Sequence, residues 1–185
     1  MATTTELLTA EEFLKLPDSG RPMELVRGVA VMMNMPGVRH GEVCGQVAYV
    51  LKEFLQSRDL GRVITNDSGI VTERRPDTVR GPDIAYYSYA RMPRGPAPVG
   101  YPSIAPEVVF EIRSPSDTWS ELFAKTAEYL KAGVLAVVLC DPDDETLHVC
   151  RPNSPPIALT ASDTLVLAEI HDEFRIVAAR FFESS

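Results

Sequence analysis

An unbroken apolar run, VLAVVLC at 134–140, constrains the fold of this chain more than any other segment. A run in which every side chain is apolar is typical of a central β-strand that is covered on both faces. Directly before it, Thr118 and Glu121 form a capping box that begins a helix ending at Gly133. A further strand, EVVFEIR at 107–113, precedes the helix. The order strand, helix, strand predicts a sheet with helices packed against it.

Elements of both kinds also occupy the rest of the chain. From His40 to about Ser57, apolar residues recur at helical spacing, which predicts a long amphipathic helix. Helices interleaved with a largely β centre predict an α/β fold with a mixed central sheet flanked by helices, in a single domain over 1–185. The remaining predicted elements are a short helix from Thr9 to Pro17, strands over 24–33, 62–73, 83–87 and 146–151, strand-like pieces near 165–170 and 174–177, and a proline-rich loop at 91–106.

The net charge of −8 limits how this protein can meet nucleic acid. Proteins that hold nucleic acid by bulk electrostatics usually carry a basic face, and this chain has no long basic stripe. Any contact with nucleic acid is therefore expected to be local, assisted by a metal ion, or formed by an oligomer. The arginines cluster only locally, at Arg74, Arg75, Arg80, Arg91 and Arg94.

Hydropathy and cysteine usage indicate a cytoplasmic protein. No apolar run approaches the roughly 20 residues that a membrane span needs, and the first residues lack the pattern of a signal peptide. The three cysteines, Cys44, Cys140 and Cys150, lie far apart, and none falls in a CxxC or CxxH pattern. We expect them to be small buried hydrophobic residues in a reducing compartment, with neither a disulfide nor a zinc site.

Two carboxylates occupy positions where strands should be apolar. Asp83 opens one predicted strand, and Glu111 lies within another whose neighbours are apolar. A carboxylate in a core strand is costly to bury unless it is paired or bound to a cation. Two of them side by side repel one another, and a divalent metal ion relieves that repulsion. Asp83 and Glu111 are therefore predicted to bind Mg²⁺, which typically takes one or two protein carboxylates and completes its shell with water and phosphate oxygens.

A cation is predicted near the same place. Lys125 lies on the helix that follows Glu111. Because an α-helix has about 3.6 residues per turn, Lys125 projects about 100° from the centre of the apolar face of that helix. Lys125 therefore lies at the border of the side that faces the sheet, within reach of the carboxylates. From there its ammonium group could orient a water molecule or neutralise a phosphate.

Longer motifs resemble a known family. Pro82-Asp83 followed by Glu111 in a later strand resembles the PD-(D/E)XK pattern of restriction-endonuclease-like nucleases. The wider pattern is similar to the Uma-two-type endonuclease family of bacteria, and it covers the chain from about Leu8 to Phe182. The matching strings are ELVRG at 24–28, His40, GPDIAYYS at 81–88, PEVVFEIRSPSDTWSE at 106–121 and KTAEYLKAGV at 125–134.

The resemblance implies a restriction-endonuclease-like fold and a metal-dependent endonuclease that hydrolyses DNA. Asp83 and Glu111 would hold Mg²⁺ or Mn²⁺, which polarises the phosphate and lowers the pKa of the attacking water. Lys125 would act as the lysine of the pattern, Glu24 would be an additional acidic group, and His40 would flank the site. By analogy with nucleases that cut both strands of a duplex, the protein is expected to be a homodimer.

One position departs from the pattern. The lysine expected two residues after Glu111 is replaced by Arg113, which is cationic but a poor proton acceptor. This departure and the acidic charge leave two alternatives open. One is a catalytically degenerate member of the fold that binds a partner or nucleic acid, and the other is a hydrolase of a smaller phosphodiester.

Overall fold

The computed structural model describes residues 7–17 and 19–184. Its helices are α1 (Ala10–Phe13), α2 (Val38–Leu55), α3 (Trp119–Lys131) and a 3₁₀ helix (Ala178–Phe181). Its strands are β1 (Met23–Val26), β2 (Val29–Met32), β3 (Gly61–Thr65), β4 (Ile70–Glu73), β5 (Thr78–Arg80), β6 (Ile84–Ser88), β7 (Val108–Ile112), β8 (Ala136–Asp141), β9 (Thr146–Cys150), β10 (Ile157–Leu159), β11 (Thr164–Val166) and β12 (Arg175–Val177).

A six-stranded mixed sheet forms the centre of the fold. Its strand order is β10-β9-β8-β7-β6-β3, in which β7 and β8 are parallel and the other neighbours are antiparallel. Every residue of β8 is buried, as its apolar sequence predicts. The predicted α/β fold with a mixed central sheet flanked by helices is therefore confirmed.

Each face of the central sheet has its own hydrophobic core. Val108, Phe110 and Ile112 of β7 belong to the core that includes the buried residues of α2. Val109, on the opposite face, belongs to the core that includes Leu122 and Tyr129 of α3. Successive side chains of a strand point to opposite faces, so Glu111 lies on the same face as Val109, toward α3.

The prediction of a single strand over 24–33 is wrong, because these residues form a hairpin. Strands β1 and β2 pair as antiparallel neighbours, joined by Arg27 and Gly28. Both turn residues have positive φ, 49° and 81°, and two successive residues of this kind make the tight turn that suits a hairpin. The hairpin belongs to a second sheet, of order β2-β1-β5-β4, which carries Glu24.

The predicted strand over 62–73 is divided in the same way. Its two parts, β3 and β4, belong to different sheets. Between them Asn66 and Asp67 have φ of 67° and 51°, a left-handed conformation in which Asn and Asp are enriched among non-glycine residues. The polar residues between β3 and β4 therefore form a turn that takes the chain from one sheet to the other.

Smaller differences concern short elements and the boundary of one helix. Strand β5, strand β10 and the 3₁₀ helix were not predicted, while β11 and β12 form a two-stranded sheet near the two predicted strand-like pieces. Helix α2 begins at Val38, two residues before the predicted start at His40. Among the helices of residues 7–17 and 19–184, none has the length and apolar character that crossing a bilayer requires.

Candidate active site

Lys125 joins the two sheets through two buried glutamates. Its Nζ lies 3.0 Å from a carboxylate oxygen of Glu111 on β7 and 3.1 Å from Oε1 of Glu24 on β1. The same ammonium group donates a hydrogen bond of 3.3 Å to the carbonyl oxygen of Gly81. The predicted site residues Glu24, Glu111 and Lys125 are therefore in direct contact.

Asp83 lies beside Glu111. Strands β6 and β7 pair so that Ile84 is opposite Phe110, and continuing this register places Asp83 opposite Glu111. Oδ2 of Asp83 accepts a hydrogen bond of 2.7 Å from the backbone N–H of Ile112, the residue after Glu111. Like-charged side chains at opposite positions of neighbouring strands lie close enough to repel each other.

Helix α3 positions its polar contacts by the spacing of its residues. Its capping box, Thr118 with Glu121, is present as predicted and defines where the helix begins. Lys125 and Tyr129 are four residues apart and therefore lie on the same side of the helix. The Tyr129 hydroxyl donates a hydrogen bond of 2.7 Å to Oε1 of Glu111. Lys125 and Tyr129 therefore both contact Glu111 from the side of α3 that faces the sheet.

Glu24 is held in place by groups that lie close to Gly81. Nη1 of Arg80 lies 2.7 Å from Oε2 of Glu24, and the backbone N–H of Gly81 donates a hydrogen bond of 3.0 Å to Oε1 of Glu24. Arg80 also binds the carboxylate of Glu128 on α3 through two hydrogen bonds, of 2.6 and 2.8 Å. These contacts fix the carboxylate of Glu24 at the point where the second sheet meets α3.

Burial and charge set the protonation of these groups. Complete burial, together with the nearby Asp83, raises the pKa of Glu111 to about 7, although Lys125 and Tyr129 act in the opposite direction. Burial lowers the pKa of Lys125, but Glu111 and Glu24 outweigh it and raise the pKa overall. Burial raises the pKa of Glu24, but Lys125 and Arg80 outweigh it and hold the pKa below its usual value. The site therefore contains a permanent cation beside one firmly ionised carboxylate and one that is easily protonated.

Asp67 is a neighbour of the site that the sequence did not predict. Burial and the charge of Asp83 raise its pKa, and the charges of Lys125 and Glu24 also act on it. Its position depends on Gly81, because a Cβ added there would lie 2.8 Å from the Asp67 carbonyl oxygen. The polar turn Asn-Asp-Ser-Gly at 66–69 was the signal in the sequence, but its contact with Gly81 was not visible there.

His40 lies on the other side of Asp83. Its Nε2 is 3.3 Å from Oδ1 of Asp83, and its Nδ1 is 3.4 Å from Sγ of Cys44 one helical turn further along α2. Burial lowers the pKa of His40, but the hydrogen bond and charge of Asp83 outweigh it and raise the pKa. His40 therefore lies at the flank of the predicted site, beside Asp83.

The cysteines are free thiols, and two of them, Cys140 and Cys150, are buried as predicted. Cys44 is half-buried and lies next to His40. The spacing His-x-x-x-Cys on an amphipathic helix was the signal that this thiol faces the site, because residues four apart share a helix face.

Arg113 and Trp119 have structural contacts. Within the described part of the chain, the guanidinium of Arg113 pairs with Asp141 at 3.0 Å and with Asp143 at 3.7 Å. The nearby glutamates have other partners, since Glu107 accepts hydrogen bonds from Ser88, and Glu111 accepts hydrogen bonds from Lys125 and Tyr129. Trp119 packs against the core below α3, and the Arg113 guanidinium lies 5.5 Å from its ring centre.

The six-stranded mixed sheet flanked by helices is a restriction-endonuclease-like α/β fold. The chain belongs to the Uma2 family, described as "Putative restriction endonuclease", which it matches over residues 10–179.

Comparison with solved structures and curated proteins gives two further findings. The chain is similar to a crystal structure described as "a putative nuclease belonging to DUF820 from Anabaena variabilis ATCC 29413", with a TM-score of 0.80 and 23% sequence identity. That match covers 95% of this chain and 97% of the other, and at this identity it shows the fold. None of the curated proteins compared with the chain matches it.

Proposed function

We propose that this protein is an endonuclease that hydrolyses phosphodiester bonds of DNA with Mg²⁺ or Mn²⁺ as its cofactor. The observation that carries the proposal is the convergence of Lys125 with Glu111 and Glu24, beside Asp83. The family's description and the structural similarity to a protein described as a nuclease support the same reaction class.

The residues present fit a hard divalent cation at Asp83 and Glu111. Their side chains offer carboxylate oxygens, which Mg²⁺ and Mn²⁺ prefer, and the two acids lie opposite one another on β6 and β7. Burial and the neighbouring Asp83 raise the pKa of Glu111 even beside Lys125, which supports the proposal of a further cation at this position. A bound cation at this position supplies charge to polarise a phosphate and acidify a water molecule.

The other side chains hold these acids and supply a fixed positive charge. The Tyr129 hydroxyl and the Lys125 ammonium group orient the Glu111 carboxylate. Lys125 remains protonated at neutral pH, since its pKa is raised, so it serves to neutralise phosphate charge and not to accept a proton. His40 and the backbone N–H of Ile112 each contact one oxygen of Asp83, which fixes that carboxylate as well.

The net charge of −8 determines how DNA would be held. Because the whole chain repels a polyanion, binding would depend on the metal and on local cations such as Lys125. We propose that the chain acts as a single domain and as a homodimer, in which two sites would face the two strands of a duplex.

One observation favours a second candidate, a nuclease fold that binds nucleic acid without cutting it. The Glu111 carboxylate is already paired with Lys125 and with Tyr129, so an internal ion pair occupies the place where a metal ligand is needed. A degenerate site would keep this pair permanently, while an active site would open it for the cation.

Cleavage assays separate these functions. Supercoiled and linear DNA are incubated with Mg²⁺ or Mn²⁺ and with the wild type, Asp83→Ala or Glu111→Ala. The control variant is Asp172→Asn, which changes an exposed carboxylate. Cleavage by the wild type and the control, lost in both active-site variants, supports the nuclease. Nicking that survives both substitutions comes from a contaminant and overturns the proposal. DNA binding without cleavage supports the binding function.

A further inference from the structure

Three side chains of different chemistry converge beside the acid pair. His40, Cys44 and Asp83 each offer one ligand atom, and these atoms all lie within 4.8 Å of one another. His40 and Cys44 are one turn apart at the start of α2, and Asp83 precedes β6. All three side chains are partly buried, and those of His40 and Asp83 are 11% and 12% exposed, so a small part of each still faces solvent.

The distances between these groups approach those of a coordination shell. Sγ of Cys44 is 3.4 Å from Nδ1 of His40, and Nε2 of His40 is 3.3 Å from Oδ1 of Asp83. In a tetrahedral zinc site with bonds of about 2.0–2.3 Å, neighbouring ligand atoms lie about 3.3–3.8 Å apart. The two contacts use different nitrogens of His40, so one nitrogen, the sulfur and the carboxylate oxygen, which lie within 4.8 Å of one another, must move about 1 Å closer to bind a single ion.

We propose that His40, Cys44 and Asp83 form a Zn²⁺ site, which shares Asp83 with the proposed Mg²⁺ or Mn²⁺ site but uses His40 and Cys44 in place of Glu111. A set of one nitrogen, one sulfur and one oxygen is typical of zinc, because thiolate and imidazole ligands favour Zn²⁺ over Mg²⁺. Three protein ligands leave the fourth position of the ion for water. The sequence expectation of no zinc site rested on the CxxC and CxxH patterns, which this helical spacing does not use.

Binding changes the protonation of the thiol. The zinc–sulfur bond forms as the S–H bond of Cys44 breaks, and the proton passes to the buffer. His40 binds through a neutral imidazole nitrogen, and the carboxylate of Asp83 binds as it stands. The proposal holds whether or not the protein cleaves DNA, because it depends on these three ligands alone.

Cobalt spectroscopy tests the site. Reduced, chelator-treated protein is titrated with Co²⁺, whose bond to a thiolate produces a charge-transfer absorption in the near ultraviolet, and Zn²⁺ is then added to displace it. The wild type and the control Cys150→Ala are expected to show the band at one ion per chain. Cys44→Ser is expected to lose the band, and to bind Zn²⁺ more than about tenfold more weakly, since even partners that only orient a ligand contribute 10- to 100-fold.

Folding of the variants is checked by circular dichroism without metal. If Cys44→Ser is unfolded, His40→Gln serves as the second variant and is expected to lose most of the affinity for Zn²⁺. A wild-type protein with no thiolate band, or a band that persists in folded Cys44→Ser, overturns the proposal. A wild-type protein that shows the thiolate band but does not cleave DNA would contradict the proposed function while supporting the zinc site.

Discussion

Tyr129 donates its hydroxyl hydrogen to Oε1 of Glu111 over 2.7 Å, and both side chains are buried. The bond links α3 to the central strand β7, on the face of the sheet that carries the proposed site. A carboxylate that accepts such a bond is fixed in orientation, and its ionised form is favoured against the effect of burial.

Tyr129→Phe is expected to lower the free energy of unfolding by about 1–3 kcal/mol, because a buried carboxylate loses a hydrogen bond. Affinity for Mn²⁺ is expected to fall about tenfold, as for other groups that orient a metal ligand. Urea denaturation and calorimetric titration measure the two effects. The control Tyr49→Phe removes an exposed hydroxyl that binds Glu53 and should change stability by less than about 0.5 kcal/mol. Equal effects of the two substitutions would contradict a special role for Tyr129.

Lys125→Met removes the cation that Glu111 and Glu24 share. Breaking a buried ion pair by removing one partner typically costs about 3–5 kcal/mol, so we expect a loss of that size in denaturant unfolding. DNA cleavage should also be lost. Part of the stability should return with Mn²⁺, because the metal replaces the missing positive charge.

Lys131→Met is the matched control for that substitution. Lys131 lies six residues further along α3, and its side chain is 74% exposed and pairs with Glu73 at 3.1 Å. Surface ion pairs contribute about 0–1 kcal/mol, so this variant should remain close to the wild type. If Lys125→Met loses no more stability than Lys131→Met, the ammonium group of Lys125 is not needed to hold the glutamates.

Asp77→Asn tests a pH dependence far from the proposed metal ligands. Burial raises the pKa of Asp77, but hydrogen bonds from the backbone of Ala10 and Arg75, together with Arg74, outweigh it and hold the pKa below its usual 3.8. A lowered pKa means that the ionised form stabilises the fold above pH 3.8, and that this stabilisation is lost as the pH falls through the lower folded value.

The wild type should therefore be more stable than Asp77→Asn by about 1–2 kcal/mol at pH 5 to 8. The difference should shrink as the pH falls below 3.8 toward the lower pKa at which folded Asp77 becomes protonated. Urea unfolding at several pH values measures it. A difference that stays constant down to pH 3, or that grows there, would contradict the assignment.

Gly81→Ala tests the close approach of the Asp67 turn to the site. The added Cβ would lie 2.8 Å from the Asp67 carbonyl oxygen and 2.9 Å from its Cβ, so the turn must shift. We expect a loss of about 1–3 kcal/mol in thermal unfolding and a lower rate of DNA cleavage. In contrast, Gly45 lies within α2, and a Cβ added there would have no atom within 4 Å beyond the adjacent backbone of its own helix. Gly45→Ala should therefore raise stability by about 0.5–1 kcal/mol. If Gly81→Ala has the same thermal stability and cleavage rate as the wild type, the turn at Asp67 moves freely.

The candidate site was largely visible in the sequence. A glutamate inside an apolar strand is conspicuous because burial of its charge needs a partner, and helical spacing placed Lys125 on the side facing it. The structure brings Glu24, Glu111 and Lys125 into contact and places Asp83 opposite Glu111. Local patterns of burial and spacing were sufficient for Asp83, Glu111 and Lys125, because each pattern is a property of one helix or strand, whereas Glu24 was implied only by the family resemblance.

The features that the sequence did not predict depend on distant partners or on rare backbone conformations. Arg113 pairs with Asp141, which comes near only because β7 and β8 are parallel neighbours. The hairpin was missed because an arginine at its turn has a positive φ, which is uncommon outside glycine, asparagine and aspartate. The contact of His40 with Asp83 likewise requires knowing where α2 crosses β6.

The antiparallel register of β6 and β7 makes assembly of the acid pair conditional on complete folding. Asp83 and Glu111 are 28 positions apart in the chain and come together only when Ile84 pairs with Phe110. A slip of one residue would turn Glu111 toward the opposite face of the sheet, away from Lys125 and Tyr129. A partly folded or mispaired chain would therefore lack the site altogether, so a newly made molecule could cut nucleic acid only after its sheet is correctly built.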